Sequence, residues 1–228
     1  MRTPVTRSTL IAFLAIAFLV VIFGLIAQEI AGGQTSAFDR RLILLLRDPT
    51  NPSVPIGPVW LQEAARDVTS LGSIVVLVIF TLVAVGYLFL ARLRSSAWLL
   101  LVAVFGGIAL VDVLKAVFAR PRPDFEFHAA RVFTASFPSG HASLSAIAYL
   151  TMGALLARAQ SSTMIGRYFI VLAALLTVLI GVSRIYLGVH YPTDVLAGWC
   201  IGLAWATACW VVAEWLELRR QTTPDSRS

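Results

Sequence analysis

Six apolar runs constrain this chain more than any other feature: residues 9–30, 70–91, 97–118, 142–157, 168–182 and 195–216. A helix needs about 20 mostly apolar residues to cross a bilayer. Four of the runs meet that length outright, whereas 142–157 and 168–182 are shorter and contain Ser, Thr or Gly. In lipid, such segments satisfy their backbone polar groups by becoming helical. The expected fold class is therefore all-α, a six-transmembrane-helix bundle forming one domain over residues 1–228. Composition agrees, because only 13% of residues are charged against about 25% in a soluble domain, and mean hydropathy is +0.84.

Arginine placement orients the bundle. With six spans, Arg2 and Arg7, Arg92 and Arg94, Arg158 and Arg167, and Arg219, Arg220 and Arg227 fall on one side. The positive-inside rule makes that side cytoplasmic, with both termini on it. The first run follows Arg2 and Arg7 as a signal peptide would. Its apolar core is longer than a usual signal core and no clean cleavage site follows, so a retained helix is expected. The net charge of +6 does not point to a nucleic-acid partner, since the basic residues lie between apolar spans and form no basic domain. Cys200 and Cys209 lie about 13 Å apart along one helix, too far to pair within it.

Residues 31–69 connect the first two spans. Within them 38–47 reads as a short amphipathic helix in the membrane interface or as a simple connector. Pro49, Pro52, Pro55 and Pro58 then interrupt regular structure.

Three clusters stand at span ends on the non-cytoplasmic side. They are Lys115 through Arg122 and Pro123, then Pro138-Ser139-Gly140-His141, then Ser183-Arg184 through His190 to Asp194. The first two share the loop between spans three and four, and the third lies between five and six, so all can converge on one face. Lys115, Arg122 and Arg184 supply three cations for a phosphate, and arginine can grip two of its oxygens at once. Ser139 and Gly140 precede the fourth span, where free N–H groups and the helix dipole favour an anion. His190 stands four residues before Asp194, with Pro192 at a suitable first helical position. The carboxylate could hold one ring nitrogen while the other attacks phosphorus. His141 is placed to protonate the departing oxygen and then to deprotonate water.

Each of these residues also has a plainer role, as an interfacial anchor or a structural histidine. Lys115, however, is the only lysine beside 17 arginines, and two of the three histidines fall inside the clusters. His128 matches no role and reads as a loop residue. Asp112, one turn before Lys115, reads as its structural partner. Zinc is disfavoured because the three cations would repel it, so no metal and no cofactor is expected.

The clusters resemble the signature of the type 2 phosphatidic acid phosphatase superfamily: Lys-x6-Arg-Pro, Pro-Ser-Gly-His and Ser-Arg-x5-His-x3-Asp. All three blocks occur in order across 115–194, with no departure at a signature position. The resemblance implies that His190 forms a phosphohistidine, that Asp194 orients it and that His141 is the general acid and base. It implies that Lys115, Arg122, Ser139, Gly140 and Arg184 hold the phosphate. The partners so implied are the bilayer and a lipid phosphate, such as undecaprenyl diphosphate, phosphatidylglycerophosphate or phosphatidic acid. The same residues would serve transfer of the phosphoryl group to a second lipid. A transporter that only captures an anion would not need the histidine–aspartate set.

Overall fold

The computed structural model describes residues 7–32, 37–123 and 134–222, with side chains as far as residue 219. Arg2, His128 and Arg227 lie outside the described residues, as does the side chain of Arg220. Eight helices occur among those described: α1 (Arg7–Ala31), α2 (Ala37–Leu45), α3 (Val59–Ser70), α4 (Ile74–Leu90), α5 (Arg94–Phe118), α6 (Gly140–Arg158), α7 (Thr163–Tyr186) and α8 (Pro192–Thr222). Five of them are long and apolar enough to cross a membrane, and α3 with α4 makes a sixth span bent by 48°.

The all-α expectation holds, with three corrections. The connector 31–69 ends in a regular helix, α3, because its prolines stop at Pro58 and the next twelve residues pack along α7. The expected run 70–91 starts at the last residue of α3 and spans the break before α4. There Ser73 caps α4 by accepting a hydrogen bond from Val76 N at 3.3 Å. The two short runs also extend beyond their expected ends, to 19 residues in α6 and 24 in α7.

Helix α6 is the centre of the bundle, packed against α4, α5, α7 and α8. Over its most apolar stretch 56% of residues are buried, against 11% for α1, whose Phe13, Leu14, Phe18 and Val21 face outward. The hydroxyls of α6 are spent internally: Ser143 Oγ donates to Ser139 O at 2.9 Å and Ser145 Oγ to Ala142 O at 3.2 Å. Small residues let its neighbours come close, as at many membrane helix crossings. On α8, Gly198 and Gly202 repeat at four-residue spacing against α6. A Cβ on Gly198 would meet Ser139 O at 2.9 Å, and one on Gly202 would meet Ser143 O at 2.6 Å. This close crossing sets the α6 and α8 starts side by side.

Candidate active site

Four helix ends meet at one end of the bundle: the C-termini of α5 and α7 and the N-termini of α6 and α8. Pro192 opens α8, as its ring suits a first helical position. Asp194 falls in the first turn, fully buried. Its Oδ2 accepts from Tyr191 N at 2.9 Å and from Ser136 Oγ at 2.5 Å, while Arg120 Nη1 donates to Oδ1 at 2.5 Å. Its main-chain oxygen accepts from Ser139 N at 3.0 Å, which clasps the α8 start to the α6 start.

His190 sits in the turn before α8, 1% exposed. Its Nδ1 lies 3.5 Å from Asp194 Oδ2 and 3.4 Å from Ser136 Oγ. On the other side of the ring, Nε2 lies 3.2 Å from Arg122 Nη1. Burial pushes the imidazole down to about 3, helped by the Arg184 and Arg122 charges and opposed by the hydrogen bond with Asp194. A ring so held is neutral at ordinary pH, with a lone pair available on Nε2 when Nδ1 carries the proton.

The cations close around this ring. Helix α5 ends where Ala119 turns left-handed (φ 44°) and Pro121 bars continuation. That turn brings Arg122 back over the site, where Nη1 donates to Val189 O at 2.7 Å and Nε to Thr134 O at 3.0 Å. Lys115 Nζ donates to Ala135 O at 3.0 Å. A Cβ built on Gly140 would stand 3.8 Å from that same Nζ, so Gly140 and the ammonium are neighbours. Arg184, on the last turn of α7, donates to Thr69 Oγ1 at 3.0 Å. His141, in the first turn of α6, shares its electrostatic surroundings with Arg184, His190, Lys115 and Arg122. All eight expected positions thus gather at one end of the bundle. Asp112 adds its charge to the field at Lys115.

Two buried polar atoms in the cluster, Ser139 Oγ and Arg184 Nε, have no hydrogen-bond partner in the described protein. Buried polar groups rarely stay unpaired. A hydroxyl at the α6 N-terminus and a guanidinium N–H from the α7 end, among three cations, suit a tetrahedral anion.

Three residues of the site are absent from the signature. Ser136 bonds Asp194, Arg120 bonds Asp194, and Asp39 of α2 bonds Arg120 Nη2 at 2.9 Å. Asp39 is set toward the site by its place on α2. Within α2 it lies one turn before Ile43, and both are buried, while its neighbours Arg40 and Arg41 are exposed.

Known proteins share this chain's sequence pattern and fold. Phosphatidylglycerophosphatase B of Bacillus subtilis is 34% identical over 154 residues, 66% of this chain and 74% of the relative. An undecaprenyl-diphosphatase of Sulfolobus acidocaldarius is 27% identical over 190 residues, 81% of this chain and 82% of the relative. A crystal structure described as the first transmembrane PAP2 type phosphatidylglycerolphosphate phosphatase from Bacillus subtilis superposes with a TM-score of 0.74. It is 26% identical and covers 92% of this chain and 98% of that one. The PAP2 superfamily description matches residues 96–217, the stretch that holds α5 to α8 and every signature block, and the chain is therefore a membrane-spanning member of the PAP2 superfamily.

Proposed function

We propose that this chain is a lipid phosphatase that cleaves a lipid phosphomonoester or diphosphate through a phosphohistidine on His190. The observation that carries the reading is a buried, neutral His190 with Asp194 beside Nδ1 and Arg122 beside Nε2. Nε2 attacks phosphorus, forming a P–N bond as the P–O bond to the lipid breaks. The ring becomes cationic, and Asp194 stabilises it through Nδ1–H. His141, an imidazolium once the bound phosphate offsets the cations around it, gives its proton to the leaving oxygen; then, neutral, it takes one from water, whose oxygen displaces His190 from phosphorus. Lys115, Arg122, Arg184, Ser139 Oγ and the N–H groups at the α6 start hold the phosphoryl oxygens. Three cations and a helix N-terminus stabilise the charge that develops in transfer, so the reaction runs without a metal.

Undecaprenyl diphosphate, phosphatidylglycerophosphate and phosphatidic acid fit this reading, the headgroup entering the cation cluster while the tail stays in the bilayer. The arginine distribution supports a cytoplasmic membrane with both termini inside and the site on the outer face. The test is release of inorganic phosphate by purified protein from a panel of these lipids, with EDTA present. His190→Ala should lower turnover by at least ~10³-fold. Normal turnover by that variant, or dependence on added metal, would overturn the mechanism.

A further inference from the structure

We infer that Asp39 and Arg120 are positioning residues for Asp194, so that helix α2 sets the alignment of the His190–Asp194 pair. The inference rests on the phosphohistidine reading above. Arg120 bridges two buried carboxylates: Nη1 meets Asp194 Oδ1 at 2.5 Å and Nη2 meets Asp39 Oδ2 at 2.9 Å, with all three residues 6% exposed or less. The guanidinium also lies 4.2 Å from the centre of the Tyr191 ring, which fixes its plane. Asp39 reaches α8 directly as well, accepting from Thr193 N at 3.0 Å and from Thr193 Oγ1 at 2.6 Å. Only a planar fork can serve two carboxylates in this way, and a lysine ammonium could not.

Counting acceptors shows why this matters. Oδ2 of Asp194 already takes the Ser136 hydroxyl and the Tyr191 N–H, and His190 Nδ1 lies at the edge of reach, 3.5 Å away. A small rotation of the carboxylate therefore decides whether the imidazole is engaged. Arg120, gripping the opposite oxygen, sets that rotation, and Asp39 holds Arg120. Charge counts too. Two carboxylates around one guanidinium leave that trio net negative, partly offsetting the Arg122 and Arg184 charges beside His190, where the ring becomes positive during phosphoryl transfer. Neutralising Asp39 would leave Arg120 cancelling Asp194.

The test uses full-length protein in detergent micelles with dioctanoyl phosphatidic acid as substrate and vanadate as inhibitor. Asp39→Asn should lower kcat by about 10–100-fold, with KM and the vanadate inhibition constant within ~2-fold of wild type. Arg120→Lys should act in the same direction despite keeping its charge. Should Asp39→Asn fail to fold, Thr193→Val, which removes one hydroxyl from the same network, should still cut kcat by about 3–10-fold at constant KM. Wild-type kcat in these variants, with His190→Ala inactive, would overturn the inference and leave Asp39 as a mere anchor. A joint loss of kcat, KM and vanadate affinity would overturn it too, pointing to general structural damage. An active His190→Ala would instead bring down the proposed function itself.

Discussion

Consider Gly202→Ala, a change of one methyl group about two turns from any reacting atom. The new carbon would stand 2.6 Å from Ser143 O, 3.1 Å from Ala146 Cβ and 3.2 Å from Ser143 C. None of these neighbours is the end of a flexible side chain, so relief must come from the helices themselves. An ordinary carbon–oxygen contact begins near ~3.3 Å, so α8 has to move by about 0.7 Å relative to α6. Overpacking of that kind costs about 1–3 kcal/mol. A displacement approaching 1 Å at a reacting centre costs up to about 10²-fold in rate. The shift would spread along α8 toward Asp194 and the clasp between its carbonyl and Ser139 N. Gly202→Ala should therefore lose both thermal stability and about 10–100-fold in phosphate release from dioctanoyl phosphatidic acid. Gly86→Ala is the control: Gly86 lies in α4 with nothing within 4 Å of a built Cβ. A helical Gly→Ala change with free space is neutral or stabilising by up to about 1 kcal/mol. If the two variants melt and turn over alike, the account of α6–α8 packing is wrong.

The remaining expectations are more local. His190 is pushed down to about 3, below the ~6.5 of a free imidazole. It should therefore gain its proton only as pH falls toward 3 and stay neutral from pH 5 to 8. Nitrogen-15 spectra of histidine-labelled protein in micelles check this, and a His190 midpoint near 6.5 would refute it. Arg184→Gln removes a buried guanidinium bonded to Thr69. Charge-assisted hydrogen bonds are worth about 1.5–3 kcal/mol, so vanadate inhibition should weaken by about 10–150-fold. Unchanged inhibition would remove Arg184 from the proposed phosphate site.

How far the sequence could be read depends on the range of the interactions involved. Lys115, Arg122, His141, Arg184, His190 and Asp194 were recognisable because each is a costly residue at the end of an apolar span. Their convergence followed from counting spans. Arg120, Ser136 and Asp39 escaped notice because their roles are tertiary: Asp39 meets Arg120 across 81 positions and Thr193 across 154. Helix α3 was missed for a different reason. Its sequence VWLQEAARDVTS is too polar to register as a span, and Pro49 to Pro58 just ahead of it suggested continued irregular chain. Helices α6 and α7 run past the apolar runs 142–157 and 168–182 because their end turns carry small, polar or charged residues, such as Gly140, His141 and Arg158 in α6 and Gly166, Arg167, Ser183 and Arg184 in α7. Inside the runs, hydroxyls donate to carbonyls three or four residues back, as Thr177 Oγ1 does to Ala173 O at 2.9 Å.

The bond from Ser139 N to Asp194 O has an evolutionary corollary. Because one main-chain link registers the two helix starts, the gap between the imidazoles does not depend on how much chain joins Arg122 to Thr134. Relatives can therefore differ in how much chain they carry there and still bring the same two rings together. Chimeras that exchange residues 124–133 between relatives should release phosphate at rates close to that of the parent.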